Sequence, residues 1–207
     1  MKIIRRIIIV ILIAANIAVF AYMKFGIAEP PQVIPAANVT VVKAIQQTEA
    51  QEHPDFIKEE YVAVLPEGQN VALDKKATAS SYTQVYNAPK AVDGKTDGAS
   101  YWEGKPEYPN TLTVDLEQPT KIHAIRLALN PLAIWGKRTQ LIAVNVSEDG
   151  TNFTELVKAA ECHFDPDTGN EVQLSFDETE ARYVQLVITK NSGAGAGQIA
   201  EFEVYSK

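Results

Sequence analysis

Apolar and polar residues alternate through the C-terminal two thirds of this chain. From Asn70 to Lys207, short runs with an apolar side chain at every second position are separated by turn residues, and no long helical pattern interrupts them. Because successive side chains of a strand point to opposite faces, each run predicts a strand with one buried face. Many such strands predict an all-β fold, an antiparallel β-sandwich. The apolar members are Leu112, Val114 and Leu116; Ile125, Leu127 and Leu129; Ile142, Val144 and Val146; Val172, Leu174 and Phe176; Val184, Leu186 and Ile188; and Ala200, Phe202 and Val204.

Turn residues divide these runs. Gln118-Pro119-Thr120 predicts a turn between the first two runs, and Asp149-Gly150 predicts a tight hairpin that returns into Phe153 and Leu156. The segment Asp165–Gly169 predicts a further turn before Val172.

The N-terminus has the composition of a membrane span. Lys2, Arg5 and Arg6 precede an apolar run from Ile7 to Met23. As a helix this run reaches about 25 Å, the short end of a bilayer span. Residues 1–28 are therefore predicted to be a single-pass signal anchor, with the N-terminus cytoplasmic and the rest of the chain extracytoplasmic. The alternative is a cleaved signal peptide and a secreted domain.

A proline-rich segment follows. Residues 29–67 contain Glu29-Pro30-Pro31 and Pro35, which resist helix and ladder bonding, so we expect a spacer or stalk. Residues 68–207 are predicted to be the folded domain.

Charge and cysteine content exclude several classes of function. The net charge of −7 argues against nucleic acid, which needs a basic surface. The single cysteine, Cys162, permits no intrachain disulfide, and an exported domain without one favours a bacterial cell surface. We expect Cys162 to be a buried thiol. No catalytic motif is present, and the chain is not predicted to be an enzyme.

Several segments, in their order along the chain, resemble one family. They are Asn70–Leu73, Ala77–Ser81, Ala91–Gly94, Tyr101-Trp102, Ser147–Phe153, Ala181–Leu186 and Ala200–Tyr205. Together they resemble the discoidin domain, also called the coagulation factor five/eight type C domain, which includes many family 32 carbohydrate-binding modules. Residues 108–116 and 135–140 resemble discoidin-like modules appended to bacterial glucan-degrading enzymes. The resemblance implies a galactose-binding-like jelly-roll without catalytic activity, whose ligand is a glycan.

A glycine-bearing loop predicts a structural calcium site. Asp93, Asp97 and Ser100 offer oxygen ligands of the kind that calcium prefers. The resemblance implies further ligands from the side chain of Glu201 and the carbonyls of Lys90 and Ala200. The alternative is a solvated Asp/Gly turn without metal.

The predicted ligand site lies on loops. A sugar requires an apolar ring face beside planar polar groups. Trp135, Arg138 and Gln140 occupy one loop and the strand after it, and Gln198 ends a Gly/Ala-rich loop. Glu103 and Tyr86 complete the predicted set. Alternatives are that Trp135 is core, that Arg138 pairs with Glu103 or Asp115, and that the Gly/Ala loop is a flexible connection. We expect Trp102 to be core.

These expectations combine into one functional hypothesis. The chain is predicted to be a membrane-anchored extracytoplasmic module that recognises a polysaccharide or glycan. The alternative is an envelope adhesion or protein-interaction domain that binds no glycan.

Overall fold

A computed structural model of the chain describes residues 15–16 and 61–207. The chain divides into two units, Met1–Ile57 and Lys58–Lys207, and the fold below is that of the second. Apart from the helical pair Ala15 and Asn16, the predicted membrane span lies outside the described residues, as does most of the predicted spacer. Within the described part of the chain, no helix is long and apolar enough to cross a membrane.

Within residues 61–207, the second unit contains nine strands and three short 3₁₀ helices. The strands are β1 Gln69–Asn70, β2 Lys76–Ala79, β3 Trp102–Glu103, β4 Asn110–Ala128, β5 Arg138–Ser147, β6 Thr154–Phe164, β7 Glu171–Asn191, β8 Gln198–Ile199 and β9 Glu201–Ser206. The 3₁₀ helices are Ala88–Ala91, Ala133–Trp135 and Pro166–Thr168. Their lengths confirm the prediction of an all-β domain for the described part of this unit.

Two long strands, β4 and β7, connect the layers of the sandwich. The strand order in the main sheet is β1-β9-β4-β7-β5-β6, and β2 also pairs with β4. Every pairing is antiparallel. The first half of β4 pairs with β2 and with the last half of β7. On its other side, this half of β7 pairs with β5, and β5 pairs with β6. The second half of β4 pairs with β9 and with the first half of β7. β3 and β8 form a separate two-stranded sheet, which brings Glu103 opposite Gln198.

The predicted turn at Gln118-Pro119-Thr120 is wrong. These residues lie inside β4, where the register with β7 shifts between Asp115 and Thr120. Glu117 adopts a left-handed φ of 72°, and its N–H donates to Asp115 Oδ1 at 2.8 Å. This irregularity accommodates Pro119, which has no N–H for a regular ladder, so the strand continues instead of turning. Likewise, the runs at Val172 and Val184 belong to one strand, β7.

A single apolar cluster fills the sandwich. The alternating residues of β4, β5, β9 and the second half of β7 are buried, as the period of two requires. Those of the first half of β7, Val172, Leu174 and Phe176, are half-buried and pack against the cluster. Trp102 is fully buried, and its indole N–H donates to the carbonyl of Ser81 at 2.9 Å, which confirms its place in the core. Cys162 is also buried, and burial raises the pKa of its thiol to about 11. The thiol is therefore an inert core group, as predicted.

The other two predicted turns are confirmed. Asp149 and Gly150 lie between β5 and β6, and the Asp149 carboxylate accepts from the N–H groups of Thr151 and Asn152, both at 2.8 Å. The second turn contains the helix Pro166–Thr168 and ends with Gly169 at a φ of 76°.

Candidate functional site

Five of the predicted ligand residues meet at one place in the fold, and one unpredicted residue joins them. Each of these residues contacts the next in a closed series: Tyr86, Tyr101, Trp135, Arg138, Gln198, Glu103 and again Tyr86. We call these six residues the contact ring. Its members come from the loop before β3, from β3, from the Ala133–Trp135 helix, and from the starts of β5 and β8.

One half of the contact ring is aromatic. The rings of Tyr86 and Tyr101 stack with centroids 4.2 Å apart and planes 19° apart. Tyr101 meets Trp135 at 90°, with centroids 4.8 Å apart, and Arg138 Cζ lies 5.1 Å from the Trp135 centroid. These distances are typical of favourable ring and cation–π contacts, and they hold a half-buried indole in a fixed orientation.

The other half is polar. Arg138 Nη1 donates to Oε1 of Gln198, and Gln198 Nε2 donates to Oε2 of Glu103 at 2.7 Å. The backbone N–H of Glu103 donates to the Tyr86 carbonyl at 3.1 Å, and this bond closes the contact ring. Arg138 therefore reaches Glu103 through an intervening amide, and the other predicted partner, Asp115, is bonded to Arg182 at 2.8 and 3.0 Å.

Arg138 is partly withdrawn from water. Burial lowers the pKa of its guanidinium, and the nearby Glu103 carboxylate acts in the opposite direction. Among residues 61–207 its buried Nε has no hydrogen-bond partner. A Cβ at Gly193 would lie 2.8 Å from this Nε, so glycine lets the 192–197 loop pack directly on the guanidinium. The stem and one side of the head are thus fixed by packing.

The Gly/Ala loop is held in place by hydrogen bonds. Asn191 Nδ2 donates to the Ala196 carbonyl at 2.8 Å, and the Gly193 N–H donates to Asn191 Oδ1 at 2.9 Å. The Gly197 N–H donates to Asn110 Oδ1 at 2.7 Å. These bonds make it a fixed wall beside Arg138, in contrast to the flexible connection weighed from the sequence.

Gln140 has a different place from the other predicted residues. It is fully buried, its Nε2 donates to the Gln198 carbonyl at 2.8 Å, and its Oε1 accepts from the Gln198 N–H at 3.0 Å. Both ends of the amide are thereby used on the backbone of Gln198. We assign Gln140 to positioning Gln198, in place of the direct ligand contact expected from the sequence. It shares the strand parity of the buried Ile142 and Val144, a signal that predicts its burial.

Tyr101 is the member of the contact ring that the sequence interpretation missed. It lies between Tyr86 and Trp135, and burial is the main cause of its raised pKa. Its neighbour Trp102 is core, and adjacent residues of an extended chain face opposite ways, so the Tyr101-Trp102 pair carried the signal.

The predicted metal loop brings three oxygen-bearing side chains together. The hydroxyl of Ser100 donates to Asp93 Oδ2, and the N–H of Gly94 donates to both carboxylate oxygens of Glu201, at 3.2 and 3.1 Å. Lys90 Nζ spans the loop and donates to the Ala99 carbonyl at 2.8 Å. Ala200 lies buried next to Glu201.

Glu201 is a buried carboxylate that a cation would stabilise. It is 1% exposed, and burial, helped by the charges of Glu203 and Asp93, raises its pKa to about 8. Carboxylate and hydroxyl oxygens are the donors that a hard cation requires, so Asp93, Ser100 and Glu201 fit calcium. Asp97 is exposed, and in the described residues no three His, Cys, Asp or Glu cluster as a metal site.

Two surface cavities lie at opposite ends of β5. One of about 280 Å³ adjoins the contact ring and is lined by Arg138, Lys137, His163 and Ser192, among others. The other, of about 390 Å³, adjoins the Asp149 hairpin and contains no member of the contact ring. Size alone favours the second, but only the first lies beside convergent aromatic and planar polar groups.

The fold and the contact ring together define a class: a β-sandwich module whose loops present aromatic and planar polar side chains. The family model of the F5/8 type C domain matches residues 76–202, more than half of the chain. The chain therefore belongs to the F5/8 type C domain family, which confirms the resemblance noted in its sequence. Among curated proteins, no match was found.

Solved structures of carbohydrate-binding modules have the same fold. Chitosan-binding module 1 of a Paenibacillus sp. IK-5 chitosanase/glucanase is 25% identical, with a TM-score of 0.53 over 67% of this chain and 99% of that one. CpGH89CBM32-5 of Clostridium perfringens, solved with GalNAc-β-1,3-galactose, is 30% identical, with a TM-score of 0.54 over 64% and 96%. A Streptococcus pneumoniae fucose binding module, 23% identical, shares the fold with a TM-score of 0.52 over 70% and 100%.

Proposed function

We propose that residues 68–207 form a non-catalytic module that binds carbohydrate at the contact ring. The observation that carries this proposal is the closed set of contacts from Tyr86 through Trp135 and Arg138 to Glu103. It gives an indole and two phenol rings for apolar packing next to a guanidinium and a carboxylate for hydroxyl groups. Sugars offer these same two kinds of surface.

The chemistry of the site favours a neutral or amine-bearing sugar. The net charge of −7 disfavours polyanionic glycans, and Glu103 supplies an acceptor beside Arg138. The two similar modules described above at 25% and 30% identity bind chitosan and GalNAc-β-1,3-galactose, which supports the same class of ligand here.

We further propose that the module is displayed outside the cell membrane. The basic residues before the apolar run Ile7–Met23 support a single-pass anchor with a cytoplasmic N-terminus, and a proline-rich spacer follows. This arrangement would hold the glycan site at a distance from the bilayer.

A structural calcium ion is part of the proposal. Asp93, Ser100 and Glu201 would hold it, with the carbonyls of Lys90 and Ala200 as additional donors. The ion would neutralise the buried Glu201 carboxylate and tie the 93–100 loop to β9. Asp97, predicted as a further ligand, is exposed, so the proposal rests on the other three side chains.

One observation favours the alternative, an envelope protein as partner. Leu132 is 59% exposed and Ile134 is 89% exposed, and both lie beside Trp135. Bare aliphatic side chains of this kind often contact protein.

A pull-down with insoluble polysaccharides tests the proposed function. Trp135→Ala is expected to abolish retention, whereas the matched control Ile134→Ala is expected to bind as wild type. Retention of Trp135→Ala at the wild-type level would overturn the proposed site. Capture of an envelope protein that is lost in Ile134→Ala, with no polysaccharide retained by wild type, would support the alternative.

A further inference from the structure

The segment that precedes the domain is fastened to it. We call residues Tyr61–Glu67 the strap. The Tyr61 hydroxyl donates to Glu171 Oε1 at 2.7 Å, and its ring lies directly on Gly169, where a Cβ would come within 2.1 Å of Tyr61 Cε1. Along the strap, the Val64 carbonyl accepts from Gln173 Nε2. The strap therefore contacts β7 and the turn before it.

A second contact fastens the end of the strap. His123 Nε2 lies 3.0 Å from the Glu67 carbonyl, within hydrogen-bond distance. Val62 is 78% exposed and Val64 is 77% exposed, so apolar burial contributes little to docking. The strap is held mainly by the Tyr61 ring and by a few hydrogen bonds, and such a contact can open without unfolding the core.

The residue that receives Tyr61 is itself fixed. Arg126 donates to Glu171 through Nε, at 2.6 Å, and to Glu203 Oε1 at 2.8 Å. The side chains of this ion pair are largely buried, at 11% exposure for Arg126 and 4% for Glu171. Tyr61 thus docks onto a rigid acceptor on β7.

The turn under Tyr61 contacts the loop that carries Trp135. We call residues Asn130–Arg138 the ligand loop. Asn170 Nδ2 donates to the Asn130 carbonyl at 2.7 Å inside the protein, and Asn130 Oδ1 accepts from the Leu132 N–H at 3.0 Å. At the other end of the loop, Lys137 Nζ lies 2.8 Å from Asp165 Oδ2. The 165–170 turn therefore holds both ends of the ligand loop.

We propose that the strap is a positioning element for the ligand loop, and that Tyr61 acts through Gly169 and Glu171 to hold the 165–170 turn against it. Docking of the strap orders Trp135 and Arg138, and undocking loosens them. The strap precedes residues 76–202, which the family model matches. Tension or a partner that lifts the strap would weaken the site from a distance.

Hydrogen exchange of the full chain without ligand tests the proposal. Tyr61→Ala is expected to speed exchange of the ligand loop by about fivefold, the change that corresponds to losing one hydrogen bond of ordinary strength. Tyr61→Phe keeps the ring on Gly169 and is expected to fall between Tyr61→Ala and wild type. Val62→Ala, a change at an exposed neighbour on the strap, is the matched control and is expected to exchange as wild type.

Acrylamide quenching gives a second readout. The chain has two tryptophans, and Trp102 is fully buried, so quenching of native fluorescence reports Trp135. It is expected to increase in Tyr61→Ala and to stay unchanged in Val62→Ala. Unchanged exchange and quenching in Tyr61→Ala would overturn the proposal. An equal rise in exchange at the distant 147–153 hairpin would also overturn it, since that result means a general loss of stability.

The inference depends on the proposed function only for the identity of what the ligand loop binds. Because both readouts are taken without ligand, failure of the strap proposal leaves glycan binding untouched. Absence of glycan binding likewise does not affect the proposal that the strap positions the ligand loop.

Discussion

The charges of Arg138 and Glu103 are joined by one amide, that of Gln198, whose oxygen accepts from the guanidinium and whose nitrogen donates to the carboxylate at 2.7 Å. Flipping this amide would place its N–H₂ against the guanidinium and its oxygen against the carboxylate. Both contacts would be repulsive, so the amide orientation is fixed by its neighbours. The positions of Arg138 and Glu103 are therefore set before a ligand arrives, which lowers the entropic cost of binding.

Arg138→Lys is predicted to weaken polysaccharide binding by about tenfold or more. Lysine lacks the planar guanidinium, which can contact the Trp135 ring and donate to Gln198 at the same time. The melting temperature is expected to stay near that of wild type. Affinity electrophoresis in gels containing the polysaccharide retained in pull-downs measures the effect. Wild-type mobility of the variant would show that the guanidinium does not contact the ligand.

Gln140→Leu is predicted to destabilise the domain. The change keeps the side chain's approximate size but leaves the N–H and carbonyl of Gln198 without their side-chain partners inside the fold, at a cost of about 1–3 kcal/mol. Urea denaturation measures the free energy of unfolding. The control is Gln185→Leu, at a half-buried position where the amide bonds a side chain, Thr113 Oγ1 at 3.0 Å. Equal losses in the two variants would contradict the positioning role of Gln140.

Alternation in the sequence was enough to predict the strands and the core, because a period of two is visible without knowledge of partners. It did not show where strands continue. Pro119 looks like a turn residue locally, and only pairing with β7 makes it an irregularity within β4. Trp135 and Arg138 were recognisable from their loop, but the contact between Tyr101 and Trp135 joins segments distant in sequence. Burial of the Gln140 side chain could be predicted from its position in the alternating pattern of β5. Its hydrogen bonds to Gln198 could not, because the sequence does not show that the β3–β8 pair lies next to β5.

Calcium is predicted to raise the melting temperature of the domain. At free calcium a hundred times the dissociation constant, binding adds about 2.7 kcal/mol, which corresponds to several degrees in a domain of this size. Differential scanning calorimetry with calcium and with excess chelator measures the shift. In Glu201→Gln the shift is expected to disappear, because the buried carboxylate is lost. Identical midpoints for wild type with and without chelator would contradict the calcium proposal.

The Asp149 hairpin is predicted to make stability depend on pH below about 4. Hydrogen bonds from the backbone of Asn152 and Thr151 lower the pKa of this carboxyl in the folded state. A depressed folded pKa means that the stabilisation is complete above the unfolded pKa, near 4, and is lost as pH falls through the folded pKa. The stability gap between wild type and Asp149→Ala should therefore narrow at low pH.

Asp149→Asn is the control for that titration, since asparagine keeps the acceptor oxygen but cannot ionise. Chemical denaturation at a series of pH values gives the comparison. The gap between Asp149→Asn and Asp149→Ala should stay constant across the series. A wild-type advantage over Asp149→Ala that grows as pH falls would contradict the assigned direction.

A glycan array probed with the full chain, with calcium and with chelator in parallel, is the decisive test of carbohydrate binding at the contact ring. We predict selective binding to neutral or amine-bearing glycans in calcium, and loss of that signal in Trp135→Ala but not in Ile134→Ala. Silence of the folded wild-type protein across the array in both conditions would contradict it.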